Sequence, residues 1–133
     1  MGCGVAVSRY LLDTTFIIDY LRGQTAAVER LREIAELGDV ALVNDVISAE
    51  AWAGAPSDDD RALRTLLEFL EYVAAGPAHA QAAGRWRAHS RSRGNDIGIA
   101  DALIAACADD SRATVLTRNT RDFAMTPVAV ETY

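Results

Sequence analysis

Short apolar runs alternate with longer amphipathic segments along this chain. The short runs predict β-strands over residues 10–12, 40–43, 71–73, 114–117 and 128–130. The amphipathic segments predict helices over residues 14–21, 25–37, 44–54, 77–93 and 99–109, a helix that begins at residue 57, and a helical turn over residues 119–123. Strands that alternate with helices form a parallel sheet with helices on both faces. The pattern therefore predicts an α/β fold, a three-layer α/β/α sandwich around a central parallel sheet of four or five strands.

Residues with known preferences for helix ends support these boundaries. Asn44 and Ser57 are good N-caps, because a short side-chain oxygen can accept a hydrogen bond from the first turn. Gly38 is placed to end the second helix, since glycine readily takes the left-handed conformation found there. The helix that begins at residue 57 has the clearest amphipathic spacing, with leucines at i, i+3, i+4 and i+7: Leu63, Leu66, Leu67 and Leu70.

The length of 133 residues suits one domain, with residues 1–8 as a flexible N-terminal extension. No apolar run is long enough to span a bilayer, and the first residues do not resemble a signal peptide, so we expect a cytoplasmic protein without membrane contact. Neither Cys3 nor Cys107 has a neighbour at metal-ligand spacing, which argues against a zinc site. Cys107 is predicted to be a small buried apolar residue.

The charge of the chain restricts its chemistry. The net charge is −6, which is unusual for a nucleic-acid-binding protein, since contacts to phosphate normally supply the affinity. A cation bound by clustered acids would reverse the sign of the charge locally. All thirteen basic residues are arginine, and the absence of lysine excludes mechanisms that need a Schiff-base or phosphate-binding lysine.

Polar side chains follow the predicted strands at the edge where ligands bind in such sheets. Asp13 follows the first strand directly, Asn44 and Asp45 follow the second, and Thr117 and Asn119 follow the TVLT strand. We therefore expect a functional site at the carboxyl ends of the strands.

Four acids each interrupt an otherwise apolar segment, and they are the candidates for chemistry: Asp13, Glu50, Asp101 and Asp122. A carboxylate near a core is costly unless it is paired, hydrogen-bonded or bound to a metal. Oxygen ligands that leave room for water suit Mg²⁺ or Mn²⁺. Each acid also has a structural alternative: Asp13 as a helix cap, Glu50 as a solvated residue, Asp101 at a favourable helix start, and Asp122 in a capping box with Asn119.

Four segments resemble, in order, the motifs of PIN domains: LLDTTFIIDYLRG, ISAEAWAG, GIADALIAACA and VLTRNTRDF. The resemblance covers about residues 9–133, and the length is similar to that of the stand-alone VapC toxins of toxin–antitoxin pairs. It implies a PIN-like sandwich. It also implies that Asp13, Glu50 and Asp101 bind Mg²⁺, with Mn²⁺ able to substitute.

The resemblance implies roles for the hydroxyl residues too. Thr14 matches the residue beside the first acid, and Thr117 opens the last motif. Many relatives have an aspartate where this chain has Asn119, and Asp122 comes three residues later, so either residue is a candidate for the fourth position. Asp96 is an outside candidate, with a solvated loop acid as the alternative.

The activity implied by the resemblance is metal-assisted hydrolysis of RNA, which leaves a 5′-phosphate and a 3′-hydroxyl. Transfer RNA or ribosomal RNA is the expected substrate, and a VapB-like antitoxin is the expected partner. The antitoxin of such relatives lies in a groove, which we expect here near Tyr20, Leu21, Trp52 and residues 25–37. Homodimers are usual in the family.

Other basic and aromatic residues permit two interpretations. One cluster could contact RNA phosphates or an acidic partner, or could be a solvated helix face with Trp86 in the core: Arg85, Trp86, Arg87, Arg91 and Arg93. Arg118 and Arg121 flank the last motif and are candidates for contact with RNA. His79 and His89 are not neighbours on their helix, and we expect them to be solvated or packed.

Two rival functions are weaker. Phospho-acceptors and phosphatases of the receiver or haloacid-dehalogenase kind also place an aspartate after a strand, but this strand ends in DTT rather than DxD and the chain has no lysine. The other rival is a catalytically silent PIN-fold binding module, which Asn119 at the fourth position would favour.

Overall fold

A computed structural model describes residues 6–133 of the chain. In this range there are five strands: β1 Arg9–Leu12, β2 Val40–Asn44, β3 Glu71–Val73, β4 Thr114–Leu116 and β5 Val130–Glu131. The same range holds six α-helices: α1 Thr14–Leu21, α2 Thr25–Glu36, α3 Asp45–Gly54, α4 Asp60–Phe69, α5 Pro77–Ser92 and α6 Ile99–Ser111. Residues 1–5, with Cys3 and most of the predicted extension, lie outside the described residues.

All five strands are parallel and lie side by side in the order β3-β2-β1-β4-β5. Leu11 of β1 pairs with Leu42 on one side and with Val115 on the other, so β1 occupies the centre of the sheet. The prediction of an α/β/α sandwich is confirmed, with five strands. Because the strands are parallel, their carboxyl ends share one edge of the sheet.

The strand sequences explain why the sheet is covered on both faces. Consecutive residues of the central strands are buried, Leu11 and Leu12 in β1 and Leu42 and Val43 in β2, although neighbouring side chains in a strand point to opposite faces. Of the four leucines with helical spacing, Leu63 and Leu66 on α4 and Leu70 just after it are buried, and Leu67 is half-buried. Cys107 is buried too, as predicted.

Most of the predicted helix ends are confirmed, and one is wrong. The Asn44 side chain accepts a 2.9 Å hydrogen bond from the Ile47 N–H, and Gly38 ends α2 with a φ of +73°. Ser57, however, does not cap α4. It lies in a short 3-10 helix, Ser57–Asp59, where the Asp59 N–H bonds to the Pro56 carbonyl at 2.9 Å. A backbone carbonyl thus takes the place of the predicted serine side chain.

The last part of the chain also differs slightly from its prediction. The edge strand is β5 at Val130–Glu131, which pairs Val130 with Val115, rather than residues 128–130. The predicted helical turn is a 3-10 helix at Thr120–Phe123. In the part of the chain that the structure describes, no helix is long and apolar enough to cross a membrane.

Candidate active site

Asp13 and Thr117 meet where the two central strands end. Asp13 follows β1 and Thr117 follows β4, and the Thr117 hydroxyl donates a 2.7 Å hydrogen bond to Asp13 Oδ2. Both residues are buried, with 6% and 0% of their surfaces exposed. Asp13 stands at the N-cap position of α1, but its side chain makes no capping hydrogen bond. Asp13 therefore occupies the cap position as its structural alternative expects, but Thr117 rather than a capping hydrogen bond holds its carboxylate.

Glu50 is brought to the same edge by α3. The Thr14 hydroxyl, next to Asp13, donates a 2.7 Å hydrogen bond to Glu50 Oε1. Glu50 is exposed to solvent, as its structural alternative expects, and it also accepts this hydrogen bond from Thr14 of the first motif. This contact joins the first two predicted motifs through their side chains.

Asp101 lies in the first turn of α6 and is half-buried. Its pKa is raised from 3.8 to about 6, and burial of the carboxyl group is the largest cause. The remaining increase in the pKa comes from the negative charges of three neighbours: Asp122, Asp13 and Glu50. The four predicted acids therefore form one electrostatic cluster, which we call the acidic cluster.

The pKa of Asp13 is raised as well, and burial is again the main cause. The hydrogen bond from Thr117 lowers this pKa, and the charges of Glu50 and Asp122 raise it. Within residues 6–133, no arginine forms an ion pair with any member of the acidic cluster. Among the described residues, the mutual repulsion of these carboxylates is therefore not offset by an arginine ion pair.

A divalent cation fits the donor chemistry of the acidic cluster. Its ligands are oxygen atoms only, which Mg²⁺ and Mn²⁺ prefer, and a cation would relieve the repulsion. Among residues 6–133, no group of three or more aspartate, glutamate, histidine or cysteine side chains is close enough together to enclose an ion. Mg²⁺ is commonly held by only one or two carboxylates and keeps several of its waters.

At the fourth position, Asp122 lies close enough to the other acids for its charge to act on them. The charge of Asp122 raises the pKa of both Asp13 and Asp101. Asn119 contributes its backbone N–H, which donates to Thr117 Oγ1 at 2.9 Å. Its side chain makes no capping hydrogen bond, so the capping-box alternative is wrong. Asp96 is highly exposed and forms a 3.5 Å ion pair with Arg91, away from these contacts.

Sequence analysis missed a second network beside the acidic cluster. The Arg118 guanidinium forms a 2.7 Å ion pair with Asp19 through Nε, and the Tyr133 hydroxyl donates to the same carboxylate oxygen at 2.6 Å. The Thr15 hydroxyl lies 3.3 Å from that of Thr117 and accepts the Arg118 N–H at 3.1 Å. The signal was present, because Asp19 interrupts the apolar segment FIIDYL just as the other acids interrupt theirs.

The predicted basic cluster on α5 is mostly a solvated helix face, because Arg85, Arg91 and Arg93 are exposed. Arg87 donates to the Ile97 carbonyl at 2.9 Å, and Arg93 contacts His89. Trp86 is half-buried and packs against the core, as the structural alternative expects. His79 is buried and lies 3.0 Å from Asp110.

A groove of about 790 Å³ runs between α2 and α4. Its walls are mostly apolar and are formed by Tyr20, Val28, Leu31, Leu66 and Phe69, with polar residues among the others. The prediction of a groove beside Tyr20 and α2 is thus confirmed. Leu21 and Trp52 do not line it. The Trp52 ring instead lies under the guanidinium of Arg64, 5.5 Å from the ring centre.

Comparison with known proteins relates this fold and site to one family. A family profile described as "PIN domain" matches residues 10–128. The chain is 32% identical over 117 residues to Ribonuclease VapC19 of Mycobacterium tuberculosis, which covers 88% of this chain and 94% of that protein. Two solved structures share the fold. VapBC2 from Rickettsia felis, bound to a fragment of promoter DNA, has a TM-score of 0.84 and 22% identity, covering 94% of this chain and 98% of that one. A toxin–antitoxin complex from Klebsiella pneumoniae has a TM-score of 0.75 and 25% identity, covering 92% and 95%.

Proposed function

Because this chain belongs to the PIN-domain family, we propose that it is a VapC-type toxin, an endoribonuclease that depends on a divalent metal and is neutralised by a VapB-like antitoxin. The observation that carries the proposal is the acidic cluster at the carboxyl ends of β1 and β4, where four carboxylates repel one another without a cationic partner. The 32% identity to a ribonuclease over nearly its whole length supports the same reaction class. The proposal includes a cytoplasmic location, where RNA and antitoxin are available.

Asp13, Glu50 and Asp101 would hold the ion, and Mg²⁺ is the ion we propose, with Mn²⁺ able to replace it. When bound, such an ion neutralises charge on the phosphate and lowers the pKa of a water molecule. Asp122 completes the cluster from the 3-10 helix that follows β4. The substrate then brings its scissile phosphate to the edge of the sheet, where hydrolysis leaves a 5′-phosphate and a 3′-hydroxyl.

The hydroxyl residues orient the carboxylates for this task. Thr117 donates to Asp13 Oδ2, and Thr14 donates to Glu50 Oε1. Hydrogen bonds of this kind fix the side-chain rotamer of a metal ligand and commonly change metal affinity about 10-fold to 100-fold when removed.

The substrate we propose is structured RNA, transfer RNA or ribosomal RNA, cut at single-stranded positions whose phosphates can enter the site. The net charge of −6 opposes RNA binding. A cation in the acidic cluster and the arginines beside the last motif would offset that repulsion locally.

The antitoxin is proposed to occupy the groove between α2 and α4. Its floor is apolar, and Phe69 and Val28 expose 63% and 38% of their surfaces there. Large exposed apolar residues gathered in one groove are typical of a binding surface. A segment of the antitoxin with apolar side chains would bury them. A homodimer is also part of the proposal, in line with the family.

The alternative of a silent binding module depended on a site that lacks one carboxylate, with Asn119 at the fourth position. The charge of Asp122 acts on both Asp13 and Asp101, which argues for a complete set of four acids and against that alternative.

The first experiment is cleavage of total RNA by antitoxin-free protein with Mg²⁺, with Mn²⁺ and with a chelator. Asp101→Asn removes one member of the cluster, and Asp96→Asn is the matched control, an exposed aspartate that pairs with Arg91. We expect discrete products that require metal, persist in Asp96→Asn and disappear in Asp101→Asn. Equal cleavage by Asp101→Asn would identify a contaminating nuclease and overturn the assignment of the site.

A further inference from the structure

We propose that Arg118 binds a phosphate of the RNA next to the scissile one, and that Tyr133 is a positioning residue that holds Arg118 in place through Asp19. This inference rests on the proposed function, because it assigns the network beside the acidic cluster to the same substrate. Arg118 lies within the last of the four family segments and Asp19 within the first, whereas Tyr133 lies outside all four.

The backbone of Arg118 is tied directly to the acidic cluster. Arg118 follows Thr117, and its N–H donates to Thr15 Oγ1 at 3.1 Å. Thr15 Oγ1 lies 3.3 Å from Thr117 Oγ1, which in turn bonds to Asp13. The start of the Arg118 side chain is therefore fixed relative to the first acid.

The other end of the side chain is fixed by Asp19. This carboxylate is only 5% exposed, and a buried carboxylate without partners would be very costly. Its Oδ2 atom forms an ion pair with Arg118 Nε at 2.7 Å and accepts a 2.6 Å hydrogen bond from the Tyr133 hydroxyl. Both partners are thus needed to satisfy it, and the orientation of the guanidinium depends on the two together.

Arg118 nevertheless stays accessible to a ligand. Half of its side-chain surface is exposed, and the ion pair with Asp19 engages Nε. A guanidinium has five N–H donors, so it can hold a carboxylate at one side and a phosphate oxygen at another.

The position of Asp19 indicates which phosphate Arg118 reaches. Asp19 lies six residues beyond Asp13 along α1, which is about 9 Å along the helix axis. Arg118 Nε pairs with Asp19 and with no member of the acidic cluster, so we expect Arg118 to affect substrate binding more than the chemical step.

Tyr133 can be tested without disrupting the fold. Its ring packs edge-on against Phe16 with the ring centres 4.8 Å apart, and Tyr133→Phe keeps that packing while it removes the hydroxyl. The pKa of Tyr133 is raised to about 12, mainly by burial, so the hydroxyl remains a donor at neutral pH. Tyr72→Phe is the matched control, because the Tyr72 hydroxyl also bonds to an aspartate, Asp45, at the far strand β3.

The experiment measures kcat and KM on a fluorophore-labelled single-stranded RNA of mixed sequence, over a range of salt concentrations. We expect Arg118→Ala to raise KM about 10-fold with kcat nearly unchanged, and to reduce the slope of log KM against log salt by about 0.7, the value for one phosphate contact. Tyr133→Phe should raise KM about 3-fold, Tyr72→Phe should not, and the double variant should match Arg118→Ala alone.

Other outcomes would overturn the inference. The inference is rejected if Tyr133→Phe lowers the melting temperature but leaves KM and the salt slope unchanged. It is also rejected if the effects of Tyr133→Phe and Arg118→Ala on KM are additive in the double variant. Binding of the same RNA to Asp101→Asn protein, measured by fluorescence anisotropy in Mg²⁺, separates this inference from the proposed function. If wild-type protein does not cleave RNA, the proposed reaction fails. If the Arg118→Ala/Asp101→Asn variant binds the RNA as tightly as Asp101→Asn does, the phosphate contact is rejected as well.

Discussion

Thr117 and Asp13 are 104 residues apart in the chain, and the hydroxyl of one bonds to the carboxylate of the other at 2.7 Å. The two residues meet because β1 and β4 are adjacent parallel strands that pair Leu12 with Leu116 immediately before them. Burial raises the pKa of Asp13, and the bond from Thr117 opposes that rise. The threonine therefore keeps a buried acid ready to act as a ligand.

Replacing Thr117 by valine should test this relationship, because valine has nearly the same shape but no donor. We expect Thr117→Val to weaken Mn²⁺ binding about 10-fold, as a lost hydrogen bond to a metal ligand commonly does. It should also destabilise the fold by about 1–2 kcal/mol, because Asp13 Oδ2 loses its buried partner. Isothermal titration and thermal unfolding measure the two effects.

Thr117→Ser is the control for that substitution, since it retains the hydroxyl. We expect it to keep most of the metal affinity. If the serine and valine variants bound Mn²⁺ equally weakly, the packing of the threonine methyl group would be responsible, and the orienting role of the hydroxyl would be rejected.

Asp101→Asn should stabilise the metal-free protein while it abolishes cleavage. The pKa of Asp101 is raised to about 6 in the fold, so the folded state binds its proton more tightly than the unfolded state does. The contribution of this group to stability is complete below about pH 4 and is lost as the pH rises through about 6. At neutral pH the ionised group is a cost, which we place at about 1 kcal/mol after allowing for solvent screening.

The measurement is thermal unfolding in chelator from pH 4 to pH 8. We expect Asp101→Asn to unfold at a higher temperature than wild type at neutral pH, with a difference that shrinks towards pH 4. Asp96→Asn, whose aspartate is outside the acidic cluster, should show no such trend. A variant less stable than wild type at pH 8 would contradict the proposed repulsion.

Much of this arrangement could be predicted from the sequence because it depends on local patterns. Apolar runs and helix spacing define the strands, and a parallel sheet necessarily gathers Asp13 and Thr117 at one edge. The contact between Asp19 and Tyr133 spans 114 residues and depends on where β5 lies, which no local pattern specifies. The fourth position was ambiguous because Asn119 and Asp122 lie on one short turn, and only its conformation decides which side chain faces the acids.

Antitoxin binding should be separable from catalysis, because the groove and the acidic cluster are built from different residues. Phe69→Ser removes a large apolar side chain that is 63% exposed in the groove. We expect it to weaken binding of the antitoxin at least about 10-fold, an effect of more than 1 kcal/mol that is typical of a buried aromatic anchor. Cleavage by the free protein should not change.

Co-expression with the antitoxin encoded beside this protein gives the measurement, with growth and pull-down as readouts. Val7→Ser is the control, because Val7 is also an exposed apolar residue and lies outside the groove. Full neutralisation of the Phe69→Ser protein would show that the antitoxin binds elsewhere.

The identity of the fourth acid can be decided by exchanging charge within the turn after β4. Asp122→Asn should lower metal affinity and cleavage by about 10-fold or more, because it removes a charge that acts on both Asp13 and Asp101. Asn119→Ala should have little effect, since Asn119 contributes a backbone N–H, which alanine retains. The double variant Asn119→Asp/Asp122→Asn asks whether a carboxylate three residues earlier can replace the original. Restored cleavage in the double variant would show that it can. Loss of cleavage in Asp122→Asn with cleavage retained in Asn119→Ala would assign the fourth position to Asp122, and the reverse pattern would assign it to Asn119.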